Sequence, residues 1–229
     1  MACARLRLDM PRTSAFLLAA AVAATVPGAS QAAPTVACHC YKDRTFDPAR
    51  PAAADSYILA TTRSSLLSAA FGVDKRSLVS AVMTGTAAED LWVAHHAGVR
   101  TGQPPAALLA LRTDRGSWAA ALAGLNGLDA PFAAALAGGA DSRALAALAV
   151  DDVLMSRLRV TPAAVRSLRD AGATPEERIL ASVLSAHLSA PTAPLAGQVR
   201  TGKATWGGVL AASGLAPRDL DGLIRRLVR

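Results

Sequence analysis

Aromatic side chains are scarce in this chain: three Trp, two Tyr and four Phe among 229 residues, 4% in all. The β-branched and aromatic runs that signal strands are missing with them. A core is nevertheless within reach, because hydrophobic residues make up 52% and no charge excess marks disorder. That core must be built mainly from Ala, Leu and Val, and Ala and Leu are strong helix formers. Catalytic signatures are equally absent. Gly138-Gly139 is not followed by the Gly-Lys-Ser pattern of a phosphate loop. There is no Gly-x-Ser-x-Gly elbow, no His-Glu-x-x-His and no Cys-x-x-Cys-His. The expected fold class is all-α, and nothing in the chain assembles into a recognisable enzyme.

What is present begins with a basic, apolar N-terminus. The formal charge is +7, of which the first 32 residues carry +2 through Arg5, Arg7, Arg12 and Asp9. Lys occurs only at 42, 75 and 203, so the basicity is almost all Arg, a weak pointer to acidic partners. Ala15–Val26 is an apolar run of 12 residues, broken by Pro27-Gly28 and followed by small residues at Ser30 and Ala32. This is the three-part layout of a secretory signal, with cleavage expected before Ala33. The run is too short to span a bilayer. Thr35-Val36-Ala37-Cys38 is a competing lipidation pattern, but Thr is a poor residue three before the Cys. The mature chain is expected to be periplasmic or secreted, with no membrane span.

Loss of the signal removes Cys3 and leaves Cys38 and Cys40 flanking His39. In an oxidising compartment these two cysteines can close a small disulfide ring or pair across a dimer. Alternatively, two thiolates and the imidazole can hold a soft ion such as copper or zinc. Cys38, His39 and Cys40 supply at most three ligands, whereas closed zinc sites usually need four. Free reactive thiols are the remaining option. Residues 33–54, with Pro48 and Pro51, read as an extended arm.

Beyond the arm, residues 55–72 read as a lead helix stopping at Gly72. An internal repeat follows. Residues 73–139 form one unit and 160–229 a second, joined by a connecting helix at 140–159. Their register offset runs 87, then 88, then 87. Val73, Ser80, Gly85 and Glu89 match Val160, Ser167, Gly172 and Glu176. Arg112, Thr113, Trp118 and Leu122 match Arg200, Thr201, Trp206 and Leu210. Gly127, Leu128 and Leu136 match Gly214, Leu215 and Leu223, and a hydroxyl precedes each Trp at Ser117 and Thr205. Four or five short helices are expected per unit. Thr86-Ala-Ala-Glu89 and Thr174-Pro-Glu-Glu177 fit capping boxes, and glycines stand where helices should stop. Trp92, Trp118 and Trp206 are expected in the core.

Isolated polar features each have a simple reading. Glu89, Glu176 and Glu177 suit helix N-termini. Asp151-Asp152 reads as a solvated face of the connecting helix. His95-His96 lie beside Trp92 and match apolar Val183 and Leu184, which places at least one of them toward the core. Neighbouring helical residues point about 100° apart, so both cannot readily share one ion with Cys38 and Cys40.

The CHCYKDRTFDP segment, with SYILATTRSSL, LWVAHHAG and the two Trp motifs, resembles a group of uncharacterised exported bacterial proteins. In that group a Cys-His-Cys start precedes helical units carrying a Gly-Trp or Ser-Trp pair; here the pairs are Ser117-Trp118 and Thr205-Trp206. The resemblance implies export and helical architecture, and brings no activity. Separately, Trp206–Leu220 has a helix-turn-helix outline leading to Arg225, Arg226 and Arg229, but Arg218, Asp219 and Asp221 are poor residues for a phosphate-rich groove. The leading expectation is an exported, non-catalytic interaction or structural protein whose partner is a protein or a cell-envelope polymer. A metal-binding or thiol-redox protein using Cys38, His39 and Cys40 is the alternative, and a polyanion-binding module a more distant one.

Overall fold

The structure, a computed structural model, describes residues 46–228, and these are all-helical with no strand among them. The lead helix α1 (Asp55–Phe71) ends at left-handed Gly72. Five helices follow: α2 (Lys75–Met83), α3 (Ala88–Thr101), α4 (Pro105–Arg115), α5 (Trp118–Ala121) and α6 (Ala130–Ala137). The long α7 (Ser142–Arg157) leads to five more: α8 (Pro162–Asp170), α9 (Pro175–Leu188), α10 (Thr192–Arg200), α11 (Trp206–Ala212) and α12 (Leu220–Leu227). The helices beginning at 75, 88, 105 and 118 are followed 87 or 88 positions later by helices beginning at 162, 175, 192 and 206.

Short polar side chains set the starts. Asp74, Ser117, Asp129, Asp141, Thr161, Thr174 and Thr205 each accept a hydrogen bond from a backbone N–H in the first turn that follows. Each hydroxyl before a Trp is therefore an N-cap. Thr174 and Glu177 form the full reciprocal capping box. The box expected at Thr86 and Glu89 does not form. Helix α3 starts one residue later, with Ala87 at its cap. The Thr86 amide instead donates to the Ala81 carbonyl, closing the end of α2, and Glu89 is drawn to Arg63. Pro51–Ala54, expected to be extended, forms a 3-10 turn ahead of α1.

Two helices carry the centre. Arg178–Leu184 of α9 is buried all round, as are Leu91–Ala94 and His96–Gly98 of α3; helices buried on every side belong to core positions. Helix α1 joins the two apolar clusters, giving Leu66 and Leu67 to one and Ile58 to the other. It packs against α12, α9 and α2. Trp92, Trp118 and Trp206 are all buried.

Asp151 is not on a solvated face. It is 2% exposed and pairs with Arg178, itself 4% exposed, at 2.8 Å and with Arg169. The Arg178 guanidinium also donates to the carbonyls of Ala173 (2.7 Å) and Ala147 (3.3 Å). The periodicity of α7 turns Asp151 inward between Val150 and Val153, where a charged side chain needs a partner. Asp152, one position on, is half-buried and meets Arg100 at 2.8 Å.

Candidate binding groove

The outer face of α1 does not meet a helix along its whole length. Between it and α2 lies a groove of about 680 Å³, lined also by residues at the starts of α3, α7 and α9. Its walls are mainly apolar. Val79 and Met83, one helical turn apart on α2, are 40% and 56% exposed there, and Leu59 and Ala60 line the α1 side. Exposed large apolar groups gathered in one concavity are unusual for a surface with no task.

A charged triad marks one wall. Arg63 of α1 reaches Glu89 at 3.1 Å and Glu176 at 2.7 Å. These glutamates occupy matching positions in the first turns of α3 and α9, where the helix ends favour negative charge. One arginine thus bridges the starts of α3 and α9 at the groove. Lys75, also lining it, pairs with Asp221 of α12 at 3.1 Å. Burial pushes the Asp221 carboxyl up, but the Arg225 guanidinium and the Lys75 ammonium beside it prevail and hold it down at about 2. Arg143 lines the α7 end of the groove, exposed, with no ion-pair partner among the described residues.

The sites expected from sequence fall elsewhere or out of view. Cys38, His39 and Cys40 lie outside the described residues, so neither the disulfide nor the metal reading meets any geometry. Among the described residues no group of three His, Cys, Asp or Glu side chains is gathered to hold a metal. His96 is the core-facing histidine. Its Nε2 lies 3.0 Å from Asp129 Oδ2 and its ring 4.9 Å from Phe132. Burial lowers its pKa, against the opposing pull of Asp129 and Asp152. His95 is half-buried, stacked on Phe71, and likewise lowered by burial. With α3 starting at 88 and α9 at 175, these histidines stand opposite Ser182 and Val183, one position earlier than the expected Val183 and Leu184. The groove itself was not foreseen. Its only sequence signal was the pair of apolar residues Val79 and Met83 flanked by polar Ser80 and Thr84, and short helices carry many such pairs.

The helix-turn-helix outline resolves into α11, a 3-10 turn and α12. Leu220, Leu223 and Ile224 of α12 are buried, and Arg225 is held by Asp221 at 2.9 Å and reaches Ser68 at 3.2 Å. No helix among the described residues is long and apolar enough to cross a membrane. Comparison with known protein families, with curated proteins and with solved structures yields no match.

Proposed function

We propose that the protein is an exported, non-catalytic binding protein that engages its partner through the groove between α1 and α2. The observation that carries this reading is the exposure of Val79 and Met83 inside a concavity of about 680 Å³. Pockets of that size and lining are where proteins hold other molecules. Export is supported by the basic, apolar and small-residue layout of residues 1–32. Further support comes from α12, whose apolar face is committed to α1 and whose Arg225 is engaged internally, which argues against a free recognition helix for nucleic acid.

The test is photo-crosslinking in the producing cell, with a benzophenone amino acid placed at Val79 or, as a control, at Val99, which is 65% exposed and lies outside the groove. The expected result is an adduct specific to position 79 on a chain whose intact mass begins at Ala33. Equal labelling from 79 and 99 removes the groove from the proposal, and an uncleaved N-terminus removes export. Two hydrogens missing from that mass would assign Cys38 and Cys40 to a disulfide. A bound copper or zinc would move the function to Cys38, His39 and Cys40.

A further inference from the structure

We infer that the groove takes a single-chain amphiphile with an anionic head, a medium-chain carboxylate, with its alkyl chain between α1 and α2 and its head at Arg143. The inference rests on the reading of this groove as the binding face. The tail is set by the walls: Val79, Val82 and Met83 from α2, Leu59 and Ala60 from α1, and Ala146 from α7 all line it.

The head is set by charge. Each other ionic group lining the groove is already answered. Lys75 is matched by Asp221. Arg63 is shared by two carboxylates, and the second negative charge sits where the N-termini of α3 and α9 supply partial positive charge. Arg143 remains, exposed and unpaired among the described residues, so the complementary head is an anion. Guanidinium and carboxylate match in geometry as well as charge.

The size favours an alkyl chain over a peptide helix. On α1 the lining runs from Ser56 to Ser64, about 12 Å at the helical rise. Two turns of a guest helix would fill that length, and helices so short have little structure of their own to dock. An alkyl chain needs no prior folding, and its transfer from water is favourable in proportion to the apolar area it buries.

The experiment is calorimetric titration of the exported chain with dodecanoate, with an uncharged dodecyl ethoxylate and with dodecyltrimethylammonium, each below its micellar concentration. Dodecanoate is expected to bind one per chain and the other two at least about tenfold more weakly, the difference worth one charge-assisted hydrogen bond. Arg143→Gln should weaken dodecanoate about tenfold and leave the ethoxylate unchanged. Val79→Asp should remove both. Both positions are exposed, and unchanged helical circular dichroism confirms that the variants fold. Equal binding of the three amphiphiles, or indifference to Arg143→Gln, overturns the inference. So does the absence of binding, and so does a crosslink from position 79 to a protein or to a second copy of this chain; that crosslink leaves the groove standing as the binding face. Absence of binding together with equal labelling from 79 and 99 removes both.

Discussion

The stretch from α2 to α6 (the first half below) and the stretch from α8 to α12 (the second) answer the same structural question with different polar chemistry. Each places a Trp one residue after a hydroxyl N-cap, at Ser117-Trp118 and Thr205-Trp206, and each buries the ring. In the first half the Trp118 indole N–H donates to Asp90 at 2.7 Å, and the same carboxylate accepts from Ser142 at 2.6 Å. In the second half Glu177 stands where Asp90 does but is spent on its own helix cap, with Arg200 at 3.7 Å. Trp206 Nε1 is left buried without a partner among the described residues. The contact from elsewhere goes to the backbone instead: Asp55 of α1 accepts from the backbone N–H groups of Trp206 and Gly207 at 3.2 and 2.8 Å, at the start of α11. Ring burial is therefore the shared requirement, and the polar atoms around it are solved locally.

Exchanging residues between matching positions breaks this comparison in graded steps. Leu91 stands where Arg178 does, so Arg178→Leu gives the second half the first half's residue. Asp151 then keeps only Arg169, which is half exposed. The expected loss is about 3 kcal/mol, read by urea unfolding. Ala119 stands opposite Gly207. A Cβ on Gly207 overlaps the Pro51 carbonyl oxygen, a backbone atom that cannot swing aside. Gly207→Ala should cost about 2 kcal/mol, and a destabilisation under a few tenths would show that the Pro51 turn is not seated on α11. Trp118→Phe should cost about 1.5 kcal/mol more than Trp206→Phe, because only the first loses a hydrogen bond to a carboxylate. Equal losses would remove Asp90 from the account.

The smallest effect is on pH dependence. His96 and His95 have pKa values lowered by burial, so below the ordinary histidine value of about 6.5 the unfolded chain binds more protons than the folded one. Their contribution is complete above that pH and declines as pH falls toward the folded values. The thermal midpoint should drop between pH 7.5 and pH 5. His96→Val, the residue of the matching position in α9, should flatten the profile over that window. Asp221 acts lower. Its carboxyl is held at about 2, so its contribution is present above the ordinary carboxylate range and disappears as pH falls toward 2.

Local rules made much of the helical layout readable. Composition called for helices, and α1 ends where Gly72 says it should, because the left-handed cap is a property of one residue. Thr174 capped as written, yet Thr86, in the same pattern, did not. Its amide was claimed by the end of α2 and its glutamate by Arg63, 26 positions away in sequence. Asp151 departs from the solvated face its sequence suggests for a related reason. Its partner lies on another helix, and a helix face shows its solvent side only when its neighbours are known. The groove was hidden for the same cause: it exists between α1 and α2, in a relation that no single segment records.

The contact between α1 and α12 also says something about time. Lys75, at the start of α2, and Asp221 of α12 meet across 146 positions, and Leu220, Leu223 and Ile224 are buried where α12 lies on α1. A chain emerging from the ribosome holds α1 long before α12 exists. Until α12 arrives the side of α1 that it covers has nothing to lie against, so this contact, distant in sequence, forms late.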